Sequence, residues 1–192
     1  GSLASIDLGA ADLVIEAETI ELGQTQSLSG RGDFVFRGFA EVSQSRSQNG
    51  YDMTLQADAR VSLLGSVVTT GQVILDARVQ AQGTLRASAS SVDLTLQATT
   101  SAAAVVGGQA RVEAGGLYVT ARTSNQLSID AQSLGSSSGL GDLALSSHQT
   151  TRALVDSGAM LILGSAANAP ALSLLLEAID RSSFSTRLSV DD

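Results

Sequence analysis

Aspartates recur at one position of a short repeated pattern, and their carboxylates are the first groups in the chain that could do chemistry. Asp12, Asp33 and Asp52 each open one copy of the pattern, so stacked copies would bring the three carboxylates together. Oxygen-rich clusters suit Ca²⁺, which makes this trio the candidate metal site. The alternative is structural, because an Asp at a corner accepts hydrogen bonds from backbone N–H groups. We favour the structural interpretation and predict no required cofactor, with Ca²⁺ as the alternative.

A second candidate is the tripeptide Arg31-Gly32-Asp33, which some ligands of integrins use for binding. Its Asp33 falls in the repeated Asp position, and a Gly before it is ordinary turn chemistry. The repeat therefore explains Gly32 and Asp33 without a receptor. We keep Arg31, Gly32 and Asp33 as a binding hypothesis that ranks below the structural one.

Catalytic constellations are missing from the sequence. The chain has one histidine, His148, which we interpret as an exposed corner residue, and none of its serines lies in a nucleophile-elbow motif. An enzyme that cleaves glycosidic bonds needs a pair of acids. At the outward fifth position of the repeated pattern Asp76 follows Gln56, so successive copies do not supply two acids there. We therefore predict no catalytic residue and no enzymatic activity. Asp76 is the acid to change if turnover were found.

A six-residue pattern that occurs eight times supplies the elements that would position these residues. Its second and fourth positions are apolar, its fifth is polar and its sixth is small. Alternation with a period of two indicates a half-buried strand, because successive side chains point to opposite faces. The small sixth position predicts a tight inner corner. The copies are Asp12–Ala17, Asp33–Gly38, Asp52–Ala57, Gln72–Ala77, Asp93–Ala98, Gly116–Ala121, Asp142–Ser147 and Ser173–Ala178.

The spacing of these copies predicts the architecture. Their sixth positions follow one another at a nearly constant step as far as Ala98, and at progressively wider steps from there to Ala178. A fixed period near twenty indicates stacked units, and one such unit has room for two or three short strands joined by corners. We predict an all-β fold: a parallel β-helix, or β-solenoid, with coils of about 20 residues. Eight such coils would make a rod roughly 40 Å long.

The composition agrees with a thin aliphatic core. Hydrophobic residues make up 43% of the 192 residues, aromatic residues only 3%, and Cys is absent, which excludes disulfides and thiolate metal sites. A net charge of −8 disfavours nucleic acid and anionic membranes as partners. No apolar run approaches the ~20 residues that span a bilayer. We predict neither nucleic-acid binding nor membrane insertion.

The chain is interpreted as one domain. Gly1-Ser2 resembles a cloning scar, and residues 3–192 are predicted to form a single β-solenoid with a C-terminal cap or irregular coil at 165–192. The Ser/Gly-rich stretch Ser133–Gly141 lacks the pattern and is predicted to protrude as a loop.

Two interpretations stay open for Pro170–Arg181. Apolar residues at helical spacing fit a capping helix; they are Leu172, Leu175, Leu176 and Ile179. A strand would instead turn Leu174, Leu176 and Ala178 inward, in line with the other copies. We favour the strand because it continues the established repeat.

Four stretches carry a resemblance to a known family: Asp52–Ala57, Asp93–Ala98, Gly115–Ala121 and Thr150–Leu161. They resemble the β-helical stalks of bacterial filamentous haemagglutinin-like exoproteins and giant surface adhesins. The resemblance implies a right-handed parallel β-helix that lies outside the cell or on its surface and acts as a spacer or scaffold for adhesion. The chain departs from the family in lacking a secretion domain and an array of calcium-binding nonapeptides.

Each position of the repeated pattern keeps the same type of residue from copy to copy, and this uniformity predicts a structural role. The chain would be a stalk or scaffold segment of a large secreted or surface-exposed bacterial adhesin or biofilm matrix protein, with the neighbouring coils of a longer parent chain as its partners. The alternative is an adhesive module that binds a glycan or a receptor on a host or other cell through Ser133–Gly141 or the polar corners. A polysaccharide-degrading enzyme ranks third.

Overall fold

β-Strands make up most of the part of the chain that the computed structural model describes, residues 4–47, 51–88, 93–134, 142–164 and 174–191. Fourteen strands and no helix are found there, which confirms the all-β prediction. The strands are β1 (Ala4–Asp7), β2 (Leu13–Ala17), β3 (Thr19–Leu22), β4 (Gln26–Gly30), β5 (Phe34–Ser47), β6 (Tyr51–Leu63), β7 (Ser66–Thr69), β8 (Gln72–Ser88), β9 (Leu94–Val106), β10 (Arg111–Ala114), β11 (Gly116–Leu134), β12 (Leu143–Val155), β13 (Met160–Leu163) and β14 (Leu174–Asp191).

These strands form three sheets in which every pairing is parallel. The short sheet contains β1, β4, β7, β10 and β13 in that order, the front sheet β2, β5, β8, β11 and β14, and the back sheet β3, β6, β9 and β12. Successive strands therefore visit the short, front and back sheets in turn. We call one such cycle a coil; four are complete in the described residues, and β13 and β14 begin a fifth.

The prediction of coils of about 20 residues is wrong for most of the chain. In the front sheet Leu13 pairs with Phe34, the equivalent residue of the next copy of the pattern. Phe34, however, pairs with Val73, so the copy that begins at Asp52 is passed over. The later front-sheet steps, from Val73 to Leu117 and from Leu117 to Leu174, each pass over one copy as well. From the second coil onwards each complete coil holds two copies of the pattern, one in the front sheet and one in the back sheet.

The register between neighbouring strands keeps the second and fourth positions of every copy on the same face of its sheet. In the front sheet all five copies share one register, so that their second positions form a single row from Leu13 to Leu174. In the back sheet Leu94 pairs with Leu143 in the same way, whereas Met53 pairs with Leu96, two residues out of line. A shift of two keeps each side chain on its face, because the side-chain period of a strand is two.

The apolar positions form a core between the sheets, in two clusters. The first lies beside the short sheet and contains Phe34, Leu75 and Val119, and the second lies farther out and contains Leu96 and Leu127. All of these side chains are at most 2% exposed. Each buried side chain of this kind contributes about 1.5–3 kcal/mol. The inward facing of the second and fourth positions is thus confirmed in the interior coils.

The small sixth position is buried in the five copies from Asp33–Gly38 to Gly116–Ala121, but it is not a corner. Ala77 and Ala98 are 0% exposed and lie inside long strands. A Cβ atom on Gly38 would come within 2.9 Å of the Val61 side chain and 3.4 Å of the Arg60 backbone. Small residues are therefore needed where the front and back sheets approach each other closely.

The strand interpretation of the C-terminal segment is confirmed where the structure describes it. Leu174 begins β14, which pairs with β11 along its whole length. Residues 133–134 of the predicted loop belong to β11, and residues 174–191 of the predicted cap or irregular coil form β14. Residues 135–141 and 165–173 lie outside the described residues, as does Gly1-Ser2. Within the described ranges there is no helix that could cross a membrane.

Candidate functional site

The recurrent aspartates lie at the start of strands of the front and back sheets. The carboxylate of Asp12 accepts a hydrogen bond from the N–H of Asp33 at 2.8 Å, and that of Asp33 accepts one from the N–H of Gln72 at 2.7 Å. In the back sheet Asp93 accepts the N–H of Asp142 at 2.8 Å. Each carboxylate thus holds the start of the neighbouring strand. This is the contact that the structural interpretation requires.

The three predicted calcium ligands do not come together. Asp12 and Asp33 begin adjacent strands of the front sheet, whereas Asp52 lies in β6 of the back sheet. In the described part of the chain no group of three or more His, Asp or Glu side chains could hold a metal ion. The fault lay in the coil length, since a coil of about 20 residues would have placed Asp52 beside Asp33.

The tripeptide Arg31-Gly32-Asp33 forms the corner between β4 and β5. The N–H of Arg31 donates to the carbonyl oxygen of Gly9 at 2.6 Å. A Cβ atom on Gly32 would lie 2.6 Å from the backbone carbonyl carbon of Ala11, so only Gly fits there. Because Asp33 also holds the next strand, two of the three residues have structural roles. Receptor binding by this corner stays a hypothesis.

His148 is exposed, as predicted, but it is not at a corner. It lies in the middle of β12, where it pairs with Thr99.

A groove crosses the strands on the outer face of the front sheet. It consists of two adjoining hollows of about 370 and 530 Å³ that share Arg78 and Gln80. The first reaches Phe39, which is 44% exposed, and the second reaches Arg181. This groove is the candidate binding site of the described surface, because it joins charged groups, an amide and an aromatic ring.

Ion pairs link neighbouring strands along the groove. Arg37 Nη1 lies 2.8 Å from Glu16, and Arg122 Nη2 lies 2.7 Å from Glu177. The hydrogen bond that Arg122 donates to Glu177 raises the pKa of Arg122, although desolvation acts in the opposite direction. The first pair is exposed and the second is half-buried and open to solvent, so each contributes about 1 kcal/mol or less to stability.

Asp76 is the buried member of this cluster, with a side chain only 6% exposed. One carboxylate oxygen lies 2.6 Å from Arg78 Nη2, and the other accepts a hydrogen bond from the Thr120 hydroxyl at 2.7 Å. It faces outward, as predicted, but its neighbours cover it. Because both oxygens have partners, this arrangement suits a structural carboxylate better than a general acid.

Sequence reasoning missed a polar layer inside the molecule. We call it the polar seam: it lies between the two core clusters and consists of Thr100, Thr123, Asn125, Ser147, Thr151, Asp180 and Ser182. Thr100, Thr123 and Asn125 are each 1% exposed. The signal was present in β11, where Thr123 and Asn125 occupy inward positions of the alternation.

Hydrogen bonds across the seam tie the front sheet to the back sheet. The Asn125 amide accepts from the Thr100 hydroxyl at 3.1 Å and donates to Ser147 at 2.7 Å. Thr123 contacts Thr151 at 2.9 Å and donates to Asp180 at 2.7 Å. The buried polar groups are therefore satisfied, as burial requires.

Comparison with known proteins brings no match: no family model, no curated protein and no solved structure resembles the chain closely enough.

Proposed function

We propose that this chain is a right-handed parallel β-helix and that it serves as a stalk or scaffold segment of a large secreted or cell-surface bacterial adhesin or matrix protein. The observation that carries the proposal is the cyclic order of the strands, each parallel to the strand three places earlier in the chain. Stacked coils of this kind extend a rod without changing its cross-section, because each coil contacts only its neighbours.

The corners support the same proposal, since they pair from coil to coil as the strands do. The N–H of Gly107 donates to the carbonyl oxygen of Leu63 at 2.8 Å, and the N–H of Asp156 donates to that of Val106 at 2.9 Å. Hydrogen bonding thus continues around the corners as well as along the strands, which stiffens the stack along its axis.

Cysteine pairs test the coil, because the chain has no Cys of its own. Gln56 pairs with Thr99, so Gln56→Cys with Thr99→Cys should form a disulfide on mild oxidation, at a strand spacing of about 4.8 Å. The control is Gln56→Cys with Arg37→Cys, which a coil of about 20 residues would bring together but which the structure places in different sheets. A disulfide in the control pair and none in the first would overturn the proposed coil.

Binding measurements test the stalk role. We expect the folded protein to show no saturable binding to a broad glycan panel or to intact bacterial and host cells, with or without millimolar Ca²⁺. Saturable binding to one ligand class would replace the stalk with an adhesive module.

The groove supports that alternative, with a neutral glycan as the ligand. Its guanidinium, carboxylate and amide groups offer both donors and acceptors to sugar hydroxyls, and Phe39 offers an apolar ring face. If a glycan binds there, Arg78→Gln should weaken binding. Arg86→Gln, on the same strand and the same face but beyond the groove, should not. Equal loss in both variants would exclude the groove as the site.

A further inference from the structure

The larger hollow of the groove, of about 530 Å³, gathers cationic side chains on an acidic chain. Arg78, Arg122 and Arg181 line it from three neighbouring strands of the front sheet, together with one acid, Glu177. The smaller hollow has the opposite balance, with three acids and two arginines. An excess of cations on a protein of net charge −8 marks the larger hollow as a place where an anion can bind.

The ion pairs of this hollow use only part of its donors. Arg78 contacts Asp76 through Nη2, and Arg122 contacts Glu177 through Nη2. The Arg181 guanidinium forms no ion pair with any residue that the structure describes. Because a guanidinium has five N–H donors, most donors of the three arginines remain available to a ligand.

One of these donors is buried and has no acceptor. Among the buried side-chain nitrogen and oxygen atoms of the described ranges, Arg122 Nε alone lacks a hydrogen-bond partner. A buried donor without a partner is costly. An oxygen atom that a ligand brought into the hollow would supply the acceptor.

Uncharged donors complete the lining. Ser124 on β11 lies in register with Gln80 on β8 and with Arg181 on β14, so a hydroxyl, an amide and a guanidinium form one row across the strands. Arg78 and Arg122 are also register partners and form the row beside it. Donors from two rows and three strands suit the three terminal oxygens of a tetrahedral phosphate group better than a planar carboxylate.

We propose that this hollow binds a phosphate monoester group, with Arg78, Arg122 and Arg181 as its charged donors and Ser124 and Gln80 as its neutral donors. Such a group carries about two negative charges at neutral pH and three strong acceptor oxygens. The site lies on the outer face of the front sheet, so a further strand beside β14 would not cover it. The inference goes beyond the stalk role, since a scaffold can hold a phosphorylated ligand on its flank.

The test is a titration of the 192-residue protein with methyl phosphate at low ionic strength, measured by isothermal titration calorimetry. We expect saturable binding at one site. Planar acetate, and methyl sulfate with a single negative charge, should both bind about tenfold more weakly or less. Glucose should not bind, in keeping with the stalk role. Equally tight binding of acetate or methyl sulfate would overturn the proposal, because the hollow would then attract anions without selecting phosphate.

Inorganic phosphate distinguishes a free ion from an ester. We expect it to bind about as tightly as methyl phosphate, because the side chains of Arg78 and Arg122 are about half exposed and leave room for the ester group. Binding of inorganic phosphate without binding of methyl phosphate would overturn the monoester as the ligand.

Matched protein variants locate the site. Arg181→Gln should weaken the binding of methyl phosphate about tenfold or more, because it removes a charged donor. Arg187→Gln, on the same strand and the same face but beyond the hollow, should leave binding unchanged. Equal losses in the two variants would show that binding follows the overall charge of the face, and would overturn the site.

Nuclear magnetic resonance of the arginine Nε–H groups gives a readout at the buried donor itself. All eleven cationic residues of the chain are arginines, and the resonance that disappears in Arg122→Lys identifies Arg122. Methyl phosphate should shift this resonance more than that of Arg187, because an acceptor then bonds to the Nε–H. An unchanged Arg122 resonance at saturating methyl phosphate would overturn the proposed site.

The outcomes separate this proposal from the β-helix. If the Gln56–Thr99 disulfide forms but methyl phosphate does not bind, the phosphate proposal is overturned and the β-helix stands. If methyl phosphate binds but that disulfide fails to form, the proposed coil is overturned. The phosphate site is then kept, since it requires only that β8, β11 and β14 be neighbours.

Discussion

The first and last described coils differ in the side chains that their front-sheet strands turn toward the interior. At the N-terminal end β2 and β3 are short, and the distal half of β5 turns Gln44 and Arg46 toward the interior. Short edge strands and inward-pointing charges are known ways to block further pairing. At the C-terminal end the long strand β14 presents aliphatic and aromatic side chains instead.

The two strands would therefore respond differently to a further strand packed against them. Adding a strand at the N-terminal end would bury Arg46 without a partner, and burying an unpaired charge is costly. Adding one at the C-terminal end would bury four apolar side chains and extend an existing hydrogen-bond network.

The largest difference in the free energy of unfolding is expected between substitutions at one position of β11 and at its register partner on β14. Leu127→Ala should lower the free energy of unfolding by about 2–5 kcal/mol, because it opens a cavity in the core. Phe184→Ala, its register partner on β14, should cost less than about 1 kcal/mol, since half of its surface is already exposed. Chemical denaturation measures both, and equal losses would mean that β14 is covered in solution.

The next largest difference in stability is expected when a small residue is replaced by a larger one at a buried and at an exposed position. Ala121→Leu should cost about 1–3 kcal/mol, because Ala121 is fully buried between the front and back sheets. Ala178→Leu, at the same register position on β14, has open space in front of it and should be close to neutral. Thermal melting of the two variants decides the matter, and the comparison fails if both melt alike.

The polar seam provides a similar pair of changes. Asn125→Leu leaves the hydroxyls of Thr100 and Ser147 without their amide partner and should cost about 1–3 kcal/mol. Ser182→Ala removes a weak contact at the exposed end and should stay within about 0.5 kcal/mol. A stable Asn125→Leu protein would show that the seam contributes no stability.

The substitution with the smallest expected effect on stability should nevertheless change how the protein associates. Arg46→Leu changes an exposed side chain, so the free energy of unfolding should shift by about 0.5 kcal/mol or less. It also removes the charge that blocks the N-terminal edge, and we expect self-association in sedimentation velocity. Arg86→Leu, which faces outward, is the control. If the Arg46→Leu protein stays monomeric, the charge of Arg46 is not what prevents pairing at this edge.

Local structure could be predicted from the sequence because alternation is a local property. The facing of Leu75, Asp76 and Ala77 follows from the period of two, and the carboxylate contacts of Asp12 and Asp33 follow from corner chemistry. The sheet to which each copy belongs could not be predicted. Front and back sheets pack against each other and need the same apolar-polar alternation, so nothing in Asp52–Ala57 distinguishes it from Asp33–Gly38.

The candidate site was predicted less well than the fold. The groove depends on Arg78 and Arg122 being neighbours, and a whole coil of chain separates those two residues in the sequence. With a coil of the wrong length, the same arginines appear unrelated. The polar seam was missed for a different reason: Thr123 and Asn125 interrupt the inward alternation of β11, which the six-residue pattern does not reach.

Two copies of the pattern in each coil also define how such a chain can change its length. Removing one copy, for example Asp52–Ala57 with its connecting residues, would leave a regular spacing in the sequence. Every later strand would nevertheless be displaced to a different sheet, with its apolar face set against the wrong neighbours. Removing two copies together would return each strand to its own sheet. Viable insertions and deletions should therefore occur in whole coils of about 40 residues, twice the period that the sequence displays.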